Sequence, residues 1–163
     1  MISLSVISGH EFMKRSISNL VGGINFIRKA KIEVGIPAET DAAHAGGMMN
    51  SELLYLHCNG SPANNIPPRN VLKALEEEGT QKQMKKLVHS GMRAALLGNV
   101  DKAMQEYEKA GMVRQAAVQA KFGSIPPPNA PSTIAKKGSS ATLIDSGALR
   151  QAITYVVRKK GIV

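Results

Sequence analysis

The residues of this 163-residue chain best suited to ligate a metal or drive nucleophilic chemistry are four histidines and one cysteine. His10, His44, His57 and His89 lie far apart, and no pair has the close spacing that sets two zinc ligands on one helical face. His57 and Cys58 are neighbours, which directs them to opposite sides of a helix or a strand. A nucleophile needs an oriented base, and the chain has neither a Gly-x-Ser-x-Gly elbow nor a reactive-cysteine context. Asp145 followed by Ser146 reads as a turn or helix cap, and Glu76, Glu77 and Glu78 read as one solvated helical face. The pairs Gly22-Gly23 and Gly46-Gly47 match no phosphate-cradling loop. These patterns lead us to expect no metal, no cofactor and no enzymatic activity.

Two other segments carry a different signal. In Asn65-Ile66-Pro67-Pro68-Arg69 an apolar anchor precedes two prolines and one arginine, a stiff, donor-poor stretch that a neighbouring chain can contact without competing for backbone hydrogen bonds. The same residues also suit a rigid turn. In Lys137 to Arg150 a flexible polar run leads into Leu143-Ile144, then Asp145-Ser146-Gly147, then Leu149-Arg150, where the arginine could bond carbonyls or a carboxylate bidentately. Helix-to-strand punctuation accounts for that segment equally well.

The elements that must hold these segments follow from composition and period. With three Phe, three Tyr and no Trp, the core is built from Leu, Ile, Val, Met and Ala, which suits closely packed helices. A chain of this length buries a core of its own as one domain, 1–163, and the lone Cys58 cannot form an internal disulfide. No stretch approaches the roughly 20 apolar residues of a membrane span, and Met1 to Ser8 lacks a basic leader, so neither membrane insertion nor secretion is expected. Asn59-Gly60-Ser61 fits the glycosylation pattern but has no secretory context.

Ile2, Leu4 and Val6 alternate with polar residues as in a strand, and Lys31 to Ile36 alternates again, so the two are expected to pair. Between them Phe12, Ile17, Leu20, Ile24 and Ile27 fall near helical spacing, although Gly22-Gly23 predicts two shorter pieces. Residues 39–49 read as an exposed, mobile loop, and Asn50 or Ser51 as the cap of a short helix ending at Asn59-Gly60. A helical zone with the apolar stripe Leu72, Leu75, Leu87, Met92 and Leu96 runs from Val71 to Leu97, interrupted near Gly79 and closed by Gly98. Asn99 caps the next helix, which runs towards Gly123. Residues 124–140 hold Pro126, Pro127, Pro128 and Pro131 and read as an extended arm. A short helical piece and a last strand, Ile153 to Arg158, close an α+β domain whose small antiparallel sheet joins N-terminal strands to the C-terminal one.

Four segments in order resemble the neck or tail-completion family of long-tailed bacteriophages, which includes phage virion-morphogenesis proteins. Lys31-Ile32-Glu33-Val34-Gly35-Ile36-Pro37 is similar to its Val-Gly-Ile-Pro strand end, and Ser51-Glu52-Leu53-Leu54-Tyr55-Leu56-His57 through Gly60 to its Ala-Glu-x-Ala-x-x-His-Glu-x-Gly helix. Ile66-Pro67-Pro68-Arg69 resembles its Ile-Pro-x-Arg-Pro signature. Ser132-Thr133-Ile134, Lys136 to Ser140 and Leu143 to Tyr155 resemble the closing Leu-Ile-Asp-Thr-Gly-x-Leu-x-x-Ser-Ile block. The likeness covers about residues 31–158, with Cys58 where an acid is common, Asn70 in place of a second proline and Ala152 where serine is frequent.

The resemblance implies an α+β virion subunit, assembled in the bacterial host cytoplasm, that forms a ring, a hexamer, at the head-to-tail junction. Such a ring completes the tail, meets the head-tail connector and the tail tube or sheath proteins, and passes double-stranded DNA through its lumen without reading sequence. It implies no cofactor, no catalysis and no membrane. Ring contacts repeat head to tail, and a stiff segment loses little entropy on docking. The expected subunit and partner contacts are therefore Ile66, Pro67, Pro68 and Arg69, the arm prolines Pro126, Pro127, Pro128 and Pro131, and Leu143, Ile144, Asp145, Leu149 and Arg150. The alternative is a small basic nucleic-acid-binding protein. A net charge of +9 favours it, but no helix-turn-helix, aromatic stacking platform or zinc module accompanies the charge, and the cations are scattered along the chain.

Overall fold

The computed structural model describes residues 8–43 and 47–159, so the strand expected at Ile2 to Val6 lies outside the described residues. The fold is α+β. Among the described residues it consists of six α-helices, three short 3-10 turns and one two-stranded antiparallel sheet.

Helix α1, Gly9–Lys29, is continuous, with the Ser8 hydroxyl accepting from the Glu11 N–H at its start. The expected break at Gly22-Gly23 does not occur. Gly23 is buried where α1 crosses the next long helix pair, and a Cβ there would overlap the Ala95 carbonyl. The helical cost of glycine is thus offset by a close crossing that only glycine permits. Strand β1, Ala30–Gly35, follows directly.

Residues 38–40 form a 3-10 turn, and an Ala43–Met49 bridge holds the far side of the loop. Helix α2 is Asn50–Asn59. Its cap is neither Asn50 nor Ser51. Glu52 accepts from Met49 N, Asp41 accepts from Ser51 N, and the buried Asn50 donates to the Ala42 carbonyl. The described parts of the 39–49 segment are therefore anchored at both ends, and Glu39 also pairs with Arg158. The hydrogen bond from Glu39's own backbone, then Arg158, lowers the Glu39 carboxyl from its usual value.

The helical zone is interrupted near Gly79 as expected, with the break at Glu77. A 3-10 segment, Val71–Glu76, precedes helix α3, Glu78–Leu96, and the extended backbone of Glu77 separates them. Gly98, at φ +81°, closes α3, and the Asn99 side chain accepts from Lys102 N to cap helix α4, Val100–Ala120. Helix α5, Pro131–Lys137, occupies part of the expected extended arm. Pro131 sits in its first turn, where a missing N–H costs nothing. Helix α6, Ala148–Ala152, leads into strand β2, Thr154–Lys159, which pairs with β1 so that Ile32 faces Val157 and Val34 faces Tyr155.

Two apolar clusters result. The first gathers Leu54, Val71, Ala74, Val118, Phe122, Leu149 and Ile153, with Val34, Ile36, Leu143 and Ile144 packed against it. Gln115 and Gln119 of α4 donate to the Ile153 carbonyl, and Arg114 donates to that of Ile32, fastening the sheet to the helix. The second cluster lies between α1, α3 and α4, where Phe26 meets Tyr107 edge-on with centroids 5.2 Å apart over Ala94, Ala95 and Ala103. The expected stripe on α3 differs here. Leu96 is exposed, and the buried face of the helix is made of Gly91, Ala94 and Ala95, whose small size sets the close helix crossings.

Candidate functional site

The proline segments meet. Gly60, at φ +76°, turns the chain after α2, and Ser61 and Ile66 exchange backbone hydrogen bonds of 2.8 and 2.9 Å to make a tight loop. A Cβ on Gly60 would sit 2.8 Å from both the Ile66 carbonyl and the Pro68 nitrogen, so the turn requires glycine. Arg69 then bonds back through its N–H to the His57 carbonyl at 2.7 Å.

Its side chain reaches across to a segment 58 residues away. Arg69 Nε donates to the Pro127 carbonyl at 2.7 Å and Nη2 to the Pro128 carbonyl at 3.0 Å. The guanidinium is buried, with 8 % of the residue's surface exposed, and burial lowers its pKa from the usual value. The planar guanidinium holds its N–H donors in a fixed fork and so serves both carbonyls at once. The arm is held further by Asn129 Nδ2, which donates to the Ser140 and Ala141 carbonyls, and by Lys137 Nζ, 2.6 Å from the Ala141 carbonyl. Gly123 and Thr142 close the base of the arm through a paired bridge.

Between these walls lies a groove of about 610 Å³. Ile66, Pro67 and Arg69 form one side, Pro127 and Pro128 the second, and Leu143, Ile144, Asp145 and Leu149 the third. Nine of the thirteen expected contact residues thus surround one depression. Pro68, Pro126 and Pro131 are exposed outside its lining. Arg150 is exposed on α6 and does not clamp carbonyls; Arg69 has that role.

His57, Asn129 and Lys137 also line the groove, and sequence reasoning assigned them no part in it. His57 Nδ1 and Thr142 Oγ1 are buried with no hydrogen-bond partner in the described chain. Burial, and secondly the nearby Arg69 cation, hold the His57 imidazole below its usual pKa, so it is neutral near pH 7. Burial likewise raises the Cys58 thiol above its usual pKa, against smaller lowering by backbone hydrogen bonds from Val71 and Leu72. The chemistry on offer is shape and hydrogen bonding. Among the described residues no group of three His, Cys, Asp or Glu side chains is placed to hold a metal ion.

A second surface emerges on α3. Lys82, Lys85, Lys86, His89 and Arg93 are all exposed and fall on one helical face, opposite the buried Gly91, Ala94 and Ala95. Lys82, Lys85, Lys86 and Arg93, cations that look scattered in the sequence, are thus gathered into a ridge. None of the five makes a salt bridge among the described residues. No described helix is long and apolar enough to cross a membrane.

Comparisons of the chain with protein-family models, with curated proteins and with solved structures found no match.

Proposed function

We propose that the chain is a structural, non-enzymatic subunit of the neck of a long-tailed bacteriophage particle, working in a ring of identical copies, a hexamer, that completes the tail and meets the head connector. One observation carries this reading. The four segments that resemble the family come together in space: Val34 and Ile36, Leu54 and Cys58, and Leu143 with Leu149 share a single apolar cluster, while Ile66 and Arg69 wall the adjoining groove. A groove preformed by proline and arginine gives a neighbouring copy or connector protein a rigid seat, with little ordering entropy left to lose. The α3 ridge suits the lumen, where cations meet the phosphates of passing DNA without reading bases.

The test is particle assembly. In a phage whose gene for the chain is disrupted, electron microscopy is expected to show full heads and separate tails, restored to joined particles by the wild-type chain. Normal joined particles in its absence would refute the proposal. The α3 ridge also supports the second reading, a basic nucleic-acid-binding protein. That reading predicts tight, salt-dependent duplex binding by the monomer, weakened when Lys82 and Lys86 become Glu. The neck reading predicts weak binding by the monomer.

A further inference from the structure

We propose that the groove seats a side-chain carboxylate of a partner protein, an aspartate or glutamate in an apolar segment of that partner, bonded end-on by the Arg69 guanidinium. Arg69 is a buried cation, 8 % exposed, to which the described chain brings no counter-charge. None of the ion pairs among the described residues includes it, and its two side-chain bonds go to the neutral carbonyls of Pro127 and Pro128. Asp145, the acid in the groove lining, is exposed on the third wall and makes no ion pair with it. Burial alone moves the Arg69 pKa, and moves it down, where a carboxylate alongside would raise it. Buried charges in proteins are paired, so the missing anion comes from outside the chain.

The donor geometry says which anion. Nε and Nη2 turn one edge of the guanidinium to the proline carbonyls, which leaves the Nη1–Nη2 edge, a second pair of parallel N–H donors, with no acceptor on Nη1 among the described residues. Nη1 is not among the buried unpartnered atoms, so it is open to a ligand in the groove that Arg69 lines. Two parallel donors match the two oxygens of a carboxylate. The walls around them are apolar, with Ile66 and Pro67 on one side and Leu143, Ile144 and Leu149 on another. Such walls suit aliphatic side chains flanking the acid and give a phosphate backbone nothing to bury. The amide side chains of Asn65, exposed, and Asn129, half-buried, offer hydrogen bonds that a peptide backbone uses and a fatty acid does not. Leu143 stands at φ +59°, a left-handed conformation that bulky residues rarely adopt, so this wall is held in shape against backbone strain. The inference deepens the seat given to the groove above, and rests on that reading for the partner being a protein of the particle.

The experiment titrates the full, isotope-labelled chain with blocked pentapeptides that carry glutamate at the centre and leucine, isoleucine, valine or proline elsewhere, and with the matching glutamine set. The glutamate set is expected to bind roughly tenfold or more tightly than the glutamine set, moving the Arg69 side-chain resonances and the amides of Ile66 and Leu143. Ala148→Trp, at an exposed position in the groove lining that takes no part in the clamp, is expected to abolish these shifts without lowering the melting temperature. Asp145→Asn is expected to tighten binding of the glutamate set by about two- to fivefold, by removing a like charge. No binding, equal affinity for the two sets, or shifts that survive Ala148→Trp would overturn the proposal. So would inorganic phosphate that moves the same resonances where the peptides do not, or decanoate that binds as tightly as the peptides, since these assign the site to a phosphate or to a fatty acid. The particle test is separate. An acid-selective groove in a chain that joined particles do without would sustain this inference and refute the neck reading, and an unselective groove in a chain they require would do the reverse.

Discussion

The two ends of the molecule solve the same problem by opposite means. Around the groove, segments distant in sequence are fastened by directional bonds: Arg69 to Pro127 and Pro128, Asn129 to Ser140 and Ala141, Gln119 to Ile153. Around α1, α3 and α4 the chain relies on small residues and apolar contact, with Gly23 against Ala95 and Gly91 against Tyr107, and among the described residues one face of α1 is exposed. Directional bonds fix the shape of the groove between those segments. Close helix packing without them fixes a scaffold through backbone proximity alone.

This contrast can be broken by substitution. The largest effect is expected from Ile153→Ala, a fully buried side chain under the groove, which should cost on the order of 2–5 kcal/mol in urea unfolding. Leu20→Ala on the exposed face of α1 should stay within about 0.5 kcal/mol. Equal losses would erase the distinction between the two regions. Next comes Arg69→Ala, which leaves the Pro127 and Pro128 carbonyls without their donor and should cost about 2–3 kcal/mol, with faster amide exchange at Gly123 and Thr142. Arg69→Lys should recover little, because an ammonium cannot serve both carbonyls in the same plane.

The glycine pair in α1 sharpens the comparison further. Gly23→Ala forces a Cβ into the Ala95 backbone and should lower stability by about 1–3 kcal/mol, despite the better helix propensity of alanine. Gly22→Ala meets nothing within 4 Å and should raise the melting temperature slightly, by up to about 1 kcal/mol of stability. Adjacent glycines with opposite responses would establish that one is a contact and the other a spacer.

The smallest effect concerns pH. The folded chain holds His57 below its ordinary value of 6.5, so as acidity rises the unfolded chain takes up the proton first. The His57 contribution is present above that value and is lost as pH falls through the depressed folded pKa. The urea midpoint should therefore decline from pH 7.5 to pH 5.5, and His57→Gln should flatten the decline.

Local pattern made much of this legible. Alternation at Lys31 to Ile36 and Ile153 to Arg158 located β1 and β2 to within a residue or two, because a half-buried strand writes its period directly into the sequence. Asn99 announced α4 because a cap is a local bond. What escaped depends on what lies across the gap. Gly22-Gly23 looks like a helix breaker until Ala95 is known to press on it. Arg69 and Arg150 both follow turns, and only the path of the arm decides which one is buried. Residues 124–140 read as an extended arm because of their prolines, yet Pro131 stands in the first turn of α5, where its missing N–H is no cost, and Asn129 and Lys137 bond on to Ala141. The α3 ridge was hidden because its cations are spread over a dozen positions and align only once the helix is wound.

The Arg69 clamp also orders events in time. A growing chain emerges from the ribosome with Ile66 to Arg69 already made, yet the carbonyls that hold the guanidinium arrive 58 and 59 residues later, and the strand that completes the sheet later still. Until then the depression has one wall. A chain that stops short of Leu149 still lacks the third wall, so the depression is complete only in a copy that is nearly full length.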